Sequence, residues 1–160
     1  MDKMLMKVYK NRALSKSLSV AGHIISAVFA VAFFFCVSVM ICEKDYRGAV
    51  LFVLPALIGY LAVTLTRSLI DAPRPYEVYG FFEVLPKRRT GKSFPSRHAY
   101  SAFAIATLSF SVSSSIGIVL LALGFIMCCS RALLGIHFIR DLLAGMAIGV
   151  ISGVIGLILI

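Results

Sequence analysis

Long uncharged stretches separated by short polar knots set the pattern of this chain. No Asp, Glu, Lys or Arg occurs from Leu18 to Cys42, from Ala49 to Thr66, from Ala99 to Ser130 or from Leu142 to Ile160. A helix needs about 20 apolar residues to cross roughly 30 Å of hydrocarbon, so each stretch reads as membrane-spanning. As one helix, 99–130 would measure about 48 Å, too long for one crossing. It is expected to fold back at Val112-Ser113-Ser114-Ser115, where hydroxyls offer the backbone local hydrogen bonds that let a helix stop and restart. The pattern therefore predicts an all-α, polytopic transmembrane helix bundle of about five spans, over 18–42, 48–70, 96–112, 116–134 and 139–160. In the last span Gly145, Gly149 and Gly153 recur on one face. Such a face permits close helix approach, either inside the bundle or between copies.

Composition agrees with this picture and narrows it. Of 160 residues, 60% are hydrophobic and 14% charged, which excludes a soluble domain of ordinary composition. No repeat, low-complexity tract or second domain interrupts the chain, so residues 1–160 are expected to form a single membrane-embedded domain, multi-pass in the cell membrane. The net charge of +9 comes from basic residues in short segments flanking the spans. That placement suits lipid headgroups and phosphate rather than nucleic acid. Lys3, Lys7, Lys10, Arg12 and Lys16 precede a first apolar run that is too long for the h-region of a cleaved signal, so the first span is expected to be retained. Residues 1–17 admit two readings: an amphipathic interfacial helix with Met4, Leu5, Val8 and Tyr9 inserted, or a frayed basic tail. Cys36, Cys42, Cys128 and Cys129 show no metal-ligand spacing around the histidines and are expected to pack.

Ionisable groups near bilayer depth are costly and mark function. Here they fall into three clusters that the serine turn would bring to one side of the membrane. The first runs from Arg67 through Asp71 to Arg74, with Pro73 and Pro75 stiffening the backbone around Arg74. Two guanidiniums aimed at one point suit phosphate oxygens, although Arg67 and Asp71 are also spaced to pair along a helix. The second is Phe94-Pro95-Ser96-Arg97-His98. There Ser96 caps a helix whose free backbone amides can take an anion, and His98 stands in the first turn as a proton donor. The third runs from Ser130-Arg131 to His137 and Asp141. Four residues apart on one helix face, Asp141 would hold one imidazole nitrogen of His137 and leave the other as a nucleophile.

Together the clusters resemble the three-part signature of the type 2 phosphatidic acid phosphatase family: a basic residue, six residues, then Arg-Pro; Pro-Ser-Gly-His; and Ser-Arg, five residues, His, three residues, Asp. The resemblance implies that His137 attacks phosphorus to form a phosphohistidine, that Asp141 orients it, and that His98 protonates the leaving group. Arg67, Arg74, Ser96, the Arg97 backbone N–H, Ser130 and Arg131 would form the phosphate site. It implies no metal and no cofactor. Two positions depart from the pattern: Arg67 replaces the usual lysine, and Arg97 the glycine, where its side chain could add a contact to a pyrophosphate. Family members commonly have six spans, and the five read here are expected to lack one ahead of the first motif.

A site at the headgroup layer implies a membrane lipid phosphate as substrate: an isoprenyl pyrophosphate, phosphatidylglycerophosphate or phosphatidic acid. The loop 76–94 is expected to rest Tyr76, Tyr79, Phe81 and Phe82 at the interface and to attract headgroups with Lys87, Arg88, Arg89 and Lys92. A lipid phosphotransferase and a non-catalytic lipid-binding protein are the competing functions. The positive-inside rule puts the site in the cytoplasm, but phosphate-binding arginines inflate that count, so orientation stays open.

Overall fold

The computed structural model describes residues 8, 11–80 and 90–160. Helix α1 (Arg12–Cys42) is capped by Asn11, whose Oδ1 accepts from Leu14 N. It has 31 residues, about 46 Å, and so outruns the hydrocarbon core by several turns. Residues 12–17, expected apart from the first span, are the opening turns of this helix, while residues 1–7 and 9–10 lie outside the described residues. Asp45 caps α2 (Tyr46–Ile70) by accepting from Gly48 N at 2.9 Å. The helix ends at Asp71 in the left-handed region, ahead of Pro73, and Pro75 opens the single turn α3 (Pro75–Val78).

Helix α4 (Arg97–Leu108) has only 12 residues, about 18 Å, short of a full crossing. Length is not demanded of it, because its neighbours enclose it. Ala99, Ala102, Ala104 and Ala106 are all buried, and α4 packs against α1, α2, α5 (Ser114–Leu133) and α6 (Ile139–Leu159). Of the five expected spans, four are helices long and apolar enough to cross a membrane: α1, α2, α5 and α6. The outer surface is apolar, with Phe34 68%, Leu69 76% and Ile158 78% exposed, as lipid contact requires.

The serine turn forms as the sequence predicts, beginning slightly earlier. A 3-10 turn at Ser109–Ser111 follows α4. Ser109 Oγ donates to Ile105 O and Ser111 Oγ to Leu108 O, while Ser113 N donates to Ser109 O. The hydroxyls thus add local bonds to carbonyls of the last turn as the helix stops. The chain reverses, and the polar clusters return to one end of the bundle.

The glycine face of α6 is used inside the bundle, against α4. A Cβ on Gly149 would stand 3.0 Å from Ala104 N and press on Tyr100 O, and one on Gly145 would press on Ser96 O. Tyr100 Oη in turn donates to Ala56 O at 2.8 Å, fastening α4 to α2. Gly149→Val is expected to destabilise the bundle by about 2 kcal/mol or more through overpacking. The midpoint of thermal unfolding in detergent should fall for this variant and hold for Val31→Ala on the lipid face; equal midpoints would contradict the packing.

Candidate active site

The segment from Gly91 to Ser96 is where the three clusters meet, and short polar bonds hold it. Gly91 N donates to Glu77 Oε1 (2.6 Å), Lys92 N to Asp71 Oδ1 (3.1 Å) and Ser93 N to Ala72 O (2.8 Å). Asp71 therefore serves this segment, where the sequence also allowed pairing with Arg67. Arg67 is buried and donates through Nη1 to Pro95 O (2.7 Å) and Ser93 O (3.4 Å). Arg74 donates through Nε to Gly91 O at 3.0 Å, and its backbone N–H goes to Glu77 Oε2 at 2.7 Å. From the other side, Ser96 N donates to Asp141 O at 2.9 Å, tying the start of α4 to the start of α6. Ser96 caps α4 through a 3.4 Å contact from Ala99 N.

His137 is not on a helix with Asp141. After α5 the chain turns at Gly135, φ +57°, and His137 precedes Phe138, the N-cap of α6. Asp141 stands in the first turn of α6, and its Oδ2 reaches back to accept from Phe138 N at 3.0 Å. The same four-residue spacing thus results from a cap rather than a helical face. His137 Nδ1 and Asp141 Oδ2 are 3.8 Å apart, too far for a direct hydrogen bond. Ser93 fills the gap: its Oγ donates to Asp141 Oδ2 at 2.5 Å and lies 3.3 Å from His137 Nδ1. With its one proton given to the carboxylate, the Ser93 hydroxyl offers Nδ1 a lone pair. That fixes the tautomer with hydrogen on Nδ1 and leaves Nε2 basic.

Ser93, His137 and Asp141 are all buried. Burial lowers the His137 pKa from its ordinary value, against the opposing pull of the Asp141 carboxylate. The imidazole is therefore neutral at pH 7 and takes a proton only as pH falls below the usual imidazole range. Arg67 and Arg74 act on it electrostatically, and Arg131 and His137 act on His98. Arg67, Arg74, His98, Arg131, His137 and Asp141 thus lie within electrostatic reach of His137 or His98.

Arg131 is buried beneath α1, its Nη2 3.5 Å from Gly22 O, and a Cβ on Gly22 would come to 3.5 Å from the guanidinium carbon. Ser130 gives its hydroxyl proton to Met127 O of its own helix at 2.7 Å. His98 is exposed and lines a cavity of about 260 Å³ with Arg97 and Tyr60. Arg97 contacts Tyr60 Oη at 3.5 Å, with the guanidinium carbon 5.9 Å from the ring centroid. The aromatic loop departs from expectation at Tyr76, which is buried rather than interfacial, with its N–H directed to Gly135 O. Tyr79 stacks obliquely near Phe138; Phe81, Phe82, Lys87, Arg88 and Arg89 lie outside the described residues. Sequence reasoning missed Ser93, Tyr60 and Gly22. Ser93 immediately precedes the Phe94–His98 cluster, which was its one available signal.

Residues 48–160 match the model of the PAP2 superfamily. No curated protein matches the chain in sequence. Among solved structures, Aquifex aeolicus LpxE is similar over 97% of this chain and 93% of its own, at 23% identity and TM-score 0.72. The first transmembrane PAP2 type phosphatidylglycerolphosphate phosphatase from Bacillus subtilis is similar over 96% of this chain and 81% of its own, at 16% identity and TM-score 0.73. At those identities the likeness is one of fold. An ¹⁵N NMR titration of His137 in detergent should give a midpoint below the ordinary imidazole value of about 6.5; a midpoint above it would contradict the burial described.

Proposed function

The chain belongs to the PAP2 superfamily and is a phosphoric-ester hydrolase, and from that premise we propose that it is a lipid phosphatase working through a phosphohistidine at His137. The substrate is a phosphate monoester or pyrophosphate of a membrane lipid. Residues 1–160 act as one multi-pass domain in the cell membrane. The observation that carries this reading is the linkage of His137 Nδ1 to Ser93 and of Ser93 to Asp141, beside a cluster of arginines at one end of an apolar bundle. The fold shared with a phosphatidylglycerolphosphate phosphatase supports a lipid substrate.

With Nδ1 occupied, Nε2 attacks phosphorus as the bond to the leaving oxygen breaks. Asp141 favours the positive charge that grows on the ring, and Ser93 is a positioning residue that transmits its hold. Arg67, Arg74 and Arg131 take the charge spread over the equatorial oxygens, with the Ser96 hydroxyl and the Arg97 N–H completing the set. Ser130 backs Arg131. His98, on the exposed side of α4, protonates the departing group and then draws a proton from water as water attacks the phosphohistidine. Phosphate leaves, and His137 regains its neutral form.

Substrates held in the bilayer follow from the position of the site. The outer faces of α1, α2 and α6 are apolar, and the cations gather where they end, at headgroup height. His137→Ala should abolish phosphate release from a panel of lipid phosphates, and vanadate should inhibit the unaltered protein. Persistent release from His137→Ala would refute the nucleophile. Ser93→Ala is expected to lower kcat about 100-fold with KM little changed, the cost of a misdirected ring, and Ser93→Thr to recover part of it. Equal losses in Ala and Thr variants would refute the linkage.

A further inference from the structure

Beside the site, a cavity of about 640 Å³ opens between the last turns of α2 and residues 90–92. Arg67, Arg74, Lys92 and Arg97 line it, and among the described residues no carboxylate does. The acids nearest in sequence are engaged elsewhere: Asp71 accepts from Lys92 N, and Glu77 from Gly91 N and Arg74 N. In the phosphatase reading Arg67, Arg74 and Arg131 serve the transferred phosphoryl group. Lys92 and Arg97 are cations beyond that need.

Arg97 stands where the family pattern has glycine, so its guanidinium is a cation that the pattern does not call for. Tyr60 steadies it through the 3.5 Å contact and the ring face described above. It borders both the cationic cavity and the His98 cavity. Tyr60 also borders an apolar groove between α1 and α2, with Phe29, Phe33 and Leu57 along it. The Arg97–Tyr60 pair is thus a junction where a multiply charged head meets a hydrocarbon channel.

Resting on the lipid phosphatase reading, we propose that the Lys92 and Arg97 side of this cavity is a second-phosphate subsite, next to the Arg67 and Arg74 that hold the transferred group, and that the chain prefers the diphosphate ester of a membrane lipid to a monophosphate, with Arg97 as the specificity residue. The terminal phosphorus is the one transferred. Its bond to His137 Nε2 forms as its bond to the bridging oxygen breaks, and that electron pair leaves on the lipid monophosphate. Lys92 and Arg97 hold this leaving phosphate as its charge grows. Water then cleaves the N–P bond and inorganic phosphate departs.

The test uses the full chain in detergent and two independent readouts. In the first, calorimetry compares binding of inorganic pyrophosphate with that of orthophosphate. In the second, kcat/KM is measured on a polyprenyl diphosphate, on phosphatidic acid and on free pyrophosphate. The unaltered protein should bind pyrophosphate more tightly than orthophosphate and turn over the polyprenyl ester best. Arg97→Gly should lower the diphosphate-to-monophosphate ratio about tenfold or more in both readouts, the worth of one charge-assisted bond, and Arg97→Lys should restore part of it. Equal losses on both substrates, or an unchanged ratio, would overturn the subsite. Free pyrophosphate hydrolysed as well as the polyprenyl ester would overturn the lipid assignment. A pyrophosphate preference that Arg97→Gly erases, in a protein that hydrolyses no lipid, would leave the subsite standing and refute the phosphatase reading instead.

Discussion

A carboxylate buried inside a bundle whose outer face is hydrocarbon needs donors, and Asp141 is that carboxylate, bonded through Oδ2 and with Arg140 Nε 3.6 Å from its Oδ1. Its Oδ2 accepts from Ser93 Oγ and Phe138 N, and its backbone carbonyl accepts from Ser96 N. Those bonds join the segment before α4, the N-cap of α4 and the turn before α6 to the first turn of α6. The positions of His137, Ser96 and His98 all depend on them. Arg67 secures the same segment from α2 through Pro95 O. The glycine face of α6 lets the two helix starts come close enough for the Ser96–Asp141 bond, because a side chain at Gly145 would press on the Ser96 carbonyl.

The same economy explains why cations crowd this end. Like charges repel most strongly where water is scarce, yet Arg74 and Arg97 both act on Arg67, with the Asp141 carboxylate opposing them there. Phosphate oxygens relieve that repulsion on binding. Affinity for a multiply charged anion therefore comes from the arrangement as a whole, while selectivity between anions falls to the groups at its margin. Arg97, leaning on Tyr60, is such a group.

Much of this was legible in the sequence. Uncharged runs marked the spans, the serine cluster marked the reversal, and the motif spacing marked Arg67, Arg74, Ser96, His98, Arg131, His137 and Asp141. What escaped depends on contacts between segments distant in the chain. A lone hydroxyl carries no periodicity, so nothing set Ser93 apart until the fold put it between His137 and Asp141. Four-residue spacing looks the same on a helix face and across an N-cap, so the geometry of that pair was misjudged. Tyr76 read as interfacial because burial of a short turn against Gly135 has no local signature. The shortness of α4 is equally invisible, since an enclosed helix and a spanning one are alike in composition.

The central claim is that His137 Nε2 carries the phosphoryl group between two displacements. The most direct measurement is mass spectrometric mapping of the protein quenched in alkali within milliseconds of mixing with a ³²P-labelled lipid phosphate. A label on Nε2 of His137, lost when chase substrate is exhausted and missing from His137→Asn, is the result expected. Turnover at full rate with no labelled residue, accompanied by inversion of configuration at phosphorus, would show direct attack by water and contradict the account.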